Sequence, residues 1–187
     1  SSLISFIRFF INKKSLFLVI IMSNLKRIDM DNTQQLRERL VKLLKQGSAF
    51  KPLPDTLKAI PYEVTGEQMD GFAHTVWELT EHIRIALHDL VEYSKDSYFE
   101  SPPWPDGFWP ENPEPSSEKE WKYSIQQIND LREEMIQMLR DPANDLFEPF
   151  KANADHNLFR QATIAAEHAA YHGGQIAMLS KAIERQQ

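Results

Sequence analysis

Residues 157–184 read NLFRQATIAAEHAAYHGGQIAMLSKAIE, and this stretch decides the fold. Leu158, Ala162, Ala165, Ala169, His172, Ile176, Leu179 and Ile183 recur at mixed three- and four-residue steps, the period of one helix face. The spacing predicts a helix that starts near Asp155–Asn157 and runs to about Glu184. Its apolar face needs partners, and three other stretches carry the same period. Leu36, Leu40, Leu43 and Leu44 form a stripe between a cap at Asp31 or Asn32 and a stop at Gly47. Val76, Leu79, Ile83, Leu87, Leu90 and Val91 mark a helix over about Thr75–Ser94. Ser117-Glu-Lys-Glu120 reads as a capping box, and Trp121, Ile125, Ile128, Leu131, Met135 and Met138 follow at helical spacing to about Arg140, where Asp141-Pro142 ends the helix.

The connections read differently. Lys51–Pro61 is expected to hold one short helical turn between prolines, and residues 62–73 a loop. Six of the 11 prolines fall between 102 and 115, together with Trp104, Phe108 and Trp109. That density excludes a regular helix or central strand over 95–116. The aromatic content predicts a long loop packed on the domain as a lid. No alternating strand and no Asn-Gly hairpin is evident. The expected fold class is all-α: an antiparallel four-helix bundle over residues 31–187, with a long Pro/Trp-rich loop between helices 2 and 3.

Composition narrows the chemistry. The 187 residues are enough for one domain with a substantial core, and 42% apolar with 26% charged residues is ordinary for a globular chain. A net charge of −6 without a basic patch argues against nucleic-acid binding. There is no cysteine, so any metal must be held by nitrogen and oxygen ligands, and any thiol must come from a small molecule. A cytoplasmic location is expected.

Residues 1–22 stand apart. Two short apolar runs, Leu3–Ile11 and Leu16–Met22, are separated by Asn12-Lys13-Lys14, and neither is long enough to cross a bilayer. Twelve of these 22 residues are Phe, Ile, Asn or Lys, types with AT-rich codons. The expected reading is an over-extended reading frame with a start at Met22 or Met30, so that residues 1–30 are an extension. A membrane anchor and a signal peptide are the alternatives, and no membrane association is expected unless residues 1–22 are real.

His168 and His172 lie one helical turn apart, so both imidazoles project from one face. His82 sits at the edge of the Leu79–Ile83 stripe and can look inward. Three imidazoles from two helices would leave a coordination position open, the pattern of a catalytic zinc site, and nickel or ferrous iron accepts the same donors. Gly173-Gly174 follows the pair, and each glycine costs a helix interior ~1 kcal/mol relative to alanine, which points to close approach of another helix or a ligand, or to a kink. The competing reading is two structural histidines on a helix. Glu81 and Glu167 each precede a candidate ligand, but neighbouring helical residues point about 100° apart, so neither is expected to share the metal. Ala169, Ala170 and Tyr171 stand between the pair, so the glutamate base of zinc peptidases is missing from its usual place. His74 is expected to cap or pack at its helix start, His88 to lie on the surface, and His156 to be a capping or loop residue, with the lining of a pocket mouth as the alternative. Tyr171 is expected in the core or with its hydroxyl near the site, and Gln175 as a hydrogen-bond partner of His172. Protons should compete for the imidazoles below pH ~6.

Trp77-Glu-Leu-Thr-Glu-His-Ile-Arg-Ile-Ala86 and Glu167-His-Ala-Ala-Tyr-His-Gly-Gly-Gln-Ile176 together resemble the DinB-like (YfiT-like) superfamily. Trp109-Pro-Glu-Asn-Pro and Asp141-Pro-Ala-Asn-Asp-Leu-Phe147 fit one branch of it, and the resemblance covers about residues 33–185. It implies a four-helix bundle whose three histidines, here His82, His168 and His172, bind a divalent metal, nickel or zinc, with iron a third option. Characterised relatives include thiol-dependent S-transferases and an isomerase; other members are described as metal-dependent hydrolases. The resemblance thus implies a small-molecule substrate, a low-molecular-weight thiol among the options, and it is compatible with a homodimer. Two readings stay open: a metal-dependent thiol S-transferase or hydrolase, and a non-catalytic bundle stapled by metal or binding a small ligand.

Overall fold

The computed structural model describes residues 22–23, 32–45 and 51–186. The expectation for residues 1–30 therefore lies, apart from residues 22 and 23, outside the described residues. Among the described residues there are five α-helices and no strand. They are α1 (residues 32–45), α2 (Leu53–Lys58), α3 (Val76–Lys95), α4 (Glu118–Arg140) and α5 (Leu158–Glu184). No described helix is long and apolar enough to cross a membrane. The chain divides into two compact units, Ser1–Arg39 and Leu40–Gln187, and the second carries everything that follows.

Helices α3, α4 and α5 each begin where a side chain can satisfy the free amides of the first turn. The Thr75 hydroxyl accepts from the Glu78 amide at 3.1 Å, and the Thr75 amide donates to the Glu78 carboxylate at 2.8 Å. This is a full capping box, one that the sequence reading places only at Ser117. The Thr75 hydroxyl also donates to the Pro113 carbonyl at 2.7 Å, which ties the start of α3 to the far end of the proline-rich loop. At α4 the box is only half formed. The Ser117 hydroxyl accepts from the Glu120 amide, but the Glu120 carboxylate turns to Ser116, accepting from its amide at 2.5 Å and its hydroxyl at 2.6 Å. Ser116 offers two donors where the Ser117 backbone offers one. These bonds hold the Glu120 carboxyl below its usual pKa. Asn157 caps α5 by accepting from the Arg160 amide at 2.9 Å.

Apolar burial then fixes the packing. α3 lies against both α4 and α5, and α2 touches α4 and α5. Ile83 and Val91 of α3, Met135 and Leu139 of α4, and Ile176, Leu179 and Ile183 of α5 are almost fully buried. Each such side chain contributes roughly 1.5–3 kcal/mol relative to exposure. One member of the expected stripes departs from it: Leu43 is 43% exposed, at the edge of a cavity. The short turn expected at Lys51–Pro61 is α2. Residues 62–73 are not wholly loop, since Tyr62–Val64 form a 3-10 turn closed by the Thr65 hydroxyl donating to the Tyr62 carbonyl at 2.8 Å.

The segment between α3 and α4 contains only a 3-10 turn, Asp106–Phe108. Its three aromatic rings do not behave alike. Phe108 is buried and Trp109 half-buried, but Trp104 is 77% exposed. The expectation that all three pack down is thus corrected for Trp104. Its ring lies on Phe108, centroids 5.5 Å apart, and leaves its outer face in solvent.

Candidate metal centre

Helix geometry brings the three expected histidines together. His82 projects from α3, and His168 and His172 from successive turns of α5. Their ring centroids lie 4.5 to 4.7 Å apart, and one nitrogen from each ring lies within 4.8 Å of the others. His82 and His172 are buried and His168 half-buried. The Nε2 atoms of His82 and His168 face each other at 3.0 Å. Ligands at zinc–nitrogen distances in a tetrahedron sit about 3.3 Å from one another, so small rotations suffice to place an ion among these rings.

Protonation is set by the neighbours. His82 Nδ1–H donates to the Phe108 carbonyl at 2.8 Å. A carbonyl only accepts, so the Nδ1 carries the proton and Nε2 keeps its lone pair. His172 Nδ1–H likewise donates to Gln175 Oε1 at 2.6 Å, the partnership expected one turn along α5. Orienting bonds of this kind fix tautomer and ring angle at metal sites. All three rings resist protonation. Burial pushes His168 down to about 4, and the neighbouring His172 and His82 rings add to the effect. Burial also lowers His82 and His172, outweighing the bonds to Phe108 and Gln175 that act in the other direction. The donor set is therefore three neutral imidazoles at pH 7, and these residues fit a divalent ion of the zinc or nickel type.

Trp109 walls the site on one side. Its ring stacks on His82 at 4.0 Å and 5°, and on His74 at 4.0 Å and 14°, so it is sandwiched between two imidazoles. It meets His172 edge-on at 6.5 Å. His74 thus packs at the helix start, as its distance from His82 requires, and its Nδ1 lies 3.8 Å from Glu78. The sequence marks these aromatic residues as a lid, but neither the stacking of Trp109 on His82 nor the bond from His82 to the Phe108 carbonyl is legible there. Both residues come from the loop, where no periodicity marks which aromatic ring turns inward.

The other candidates fall outside the group. The Glu81 carboxylate is held by Arg84 in a bidentate pair at 2.8 to 3.0 Å and accepts from the Ser124 hydroxyl at 2.5 Å. Its network braces α3 next to His82 without reaching the histidines. Glu167 and His88 are exposed. His156 bonds the Tyr93 hydroxyl at 3.0 Å in the α5 approach. Tyr171 is 64% exposed, so it is not a core residue, and only its ring edge touches His172. Gly173 meets α2 closely: a Cβ there would lie 3.4 Å from Leu53. Nothing in the structure explains Gly174, which faces open space.

A family model described as the DinB superfamily matches residues 32–176. No curated protein and no solved structure matches the chain.

Proposed function

The chain belongs to the DinB superfamily, and from that premise we propose that it is a metal-dependent enzyme acting on a small molecule, with His82, His168 and His172 holding a divalent nickel or zinc ion. In this reading α3, α4 and α5 belong to an antiparallel four-helix bundle around the site. The observation that carries it is the convergence of three neutral imidazoles, two of them locked in tautomer by Phe108 and Gln175. Three protein ligands leave room for a substrate atom. When bound, the ion lowers the pKa of a coordinated thiol or water.

The residues around the site favour a thiol S-transferase over a hydrolase. Water attack calls for a positioned general base. The histidine group contains no carboxylate, Glu81 is committed to Arg84 and Ser124, and Glu167 points to solvent. A thiolate, once formed, is itself the nucleophile and needs no such base. Trp109 shields the His82 face from water and holds its ring. The thiol would be a low-molecular-weight one, since the chain has no cysteine.

Cobalt substitution tests this reading. Titration of the cobalt-loaded protein with bacillithiol, coenzyme A and glutathione is expected to change the visible spectrum with one of them through a thiolate–cobalt band. No change with any thiol, alongside turnover of an ester or amide substrate, would select the hydrolase. A metal-loaded protein inert in both assays would leave a metal-stapled binding module.

A further inference from the structure

Beside His168 the helices leave a cavity. Its volume is about 50 Å³, and it opens to solvent at its mouth. Leu43 of α1, Leu53 of α2, Ile83 and Leu87 of α3, and Ala165 and Ala169 of α5 contribute apolar walls, and His168 lines it as well. The small alanine side chains of α5 make the space. The charged residues in its lining are both cations, Lys45 and Arg132, in a chain whose net charge is −6.

Arg132 is the unusual member. Its Nε is buried and has no hydrogen-bond partner, while one terminal nitrogen donates to Asn129 Oδ1 at 3.0 Å. Among the described residues no carboxylate lies within ion-pair distance of it. Burial lowers the pKa of this guanidinium, and the more distant Glu133 and Asp55 do not offset it. A guanidinium without an ion-pair partner is built to take a carboxylate, through the terminal nitrogens rather than the inaccessible Nε.

We propose that this cavity binds a small amphipathic monocarboxylate, its short alkyl or aryl part against the leucine and alanine walls and its carboxylate on Arg132. Because His168 lines the same space, such a molecule sits beside the histidine cluster. The inference deepens the enzymatic reading by naming the class of its substrate. The binding itself needs no metal, so the two stand or fall separately.

The test compares 4-phenylbutyrate with 4-phenyl-1-butanol by calorimetry on the full chain dialysed against EDTA. The acid should bind about tenfold tighter, the scale of one charge-assisted hydrogen-bonded contact. Arg132→Met should bring the two affinities within about twofold of each other while leaving the alcohol bound. Ala169→Leu should fill the space and abolish both. Equal affinity in the wild type, or no binding of either at about 1 mM, overturns the proposal without any variant. A preference that survives Arg132→Met but is lost in Lys45→Met overturns the assignment to Arg132. In metal-loaded protein, a preference that appears only with the ion and persists in Arg132→Met would place the carboxylate on the metal and likewise overturn it. Loss of metal binding with the carboxylate preference intact would instead count against the metal reading alone.

Discussion

Helices α3 and α5 and the loop between α3 and α4 serve one site in different ways. The helices carry the three nitrogens, at positions fixed by a regular repeat. The loop carries no candidate ligand, yet the Phe108 carbonyl sets the tautomer of His82 and Trp109 clamps its ring. The contrast teaches that the donors for a metal come from the helices, while the loop sets how the rings are aimed and how dry they are kept.

The sharpest break in this contrast is removal of a helical ligand. His168→Ala is expected to abolish stoichiometric metal binding while helical circular dichroism persists, because His168 is only half-buried and the apolar core lies elsewhere. Equilibrium dialysis against nickel and zinc reads this directly. Next in size is the orienting bond inside α5. Gln175→Leu should weaken metal binding roughly 10- to 100-fold, since it frees the His172 ring and its tautomer. The loop's share should be smaller. Trp109→Ala removes a stacking wall but no donor, so a loss under about tenfold is expected, together with faster water exchange at a paramagnetic ion. A Trp109→Ala loss equal to that of His168→Ala would erase the distinction between the two regions.

Acid provides a graded version of the same comparison. The folded-state pKa of His168 is depressed to about 4, and His82 and His172 are lowered too. A depressed histidine binds fewer protons folded than unfolded, so stability rises with pH across the window between the two values. In metal-free protein this contribution is fully present above about pH 6.5 and is lost as pH falls toward 4. Metal affinity should hold below pH ~6, the onset expected for unperturbed imidazoles, and fall only nearer the lowered values. Thermal melts and metal titrations between pH 7 and pH 4 measure both. Smallest of all is Gly174→Ala. With open space around its Cβ position, it should stabilise the fold by roughly 0.5–1 kcal/mol, and more than Gly173→Ala, which meets Leu53.

Much of this was legible in the sequence. Apolar residues at three- and four-residue steps located all the long helices to within a residue or two, because burial of one helix face leaves that trace. The same period put His168 and His172 on one face and placed His82 at the margin of another. Gln175 was readable because its partner lies within one turn. What escaped depended on contacts between distant segments. Whether Trp104 or Trp109 turns inward follows from where the loop crosses α3, not from its composition. Glu120 chose Ser116 over Ser117 for want of a second donor, a difference no motif encodes. The buried Nε of Arg132 becomes visible only once α4 and the α5 alanines line one cavity.

The central claim is that the three imidazoles hold one ion. Elemental analysis of freshly purified wild-type chain, after exposure to nickel and zinc and exhaustive dialysis, tests it most directly, with His168→Ala treated alongside. About one ion per chain in the wild type and close to none in the variant is the predicted result. No retained metal in the wild type, or equal retention in both, would contradict it.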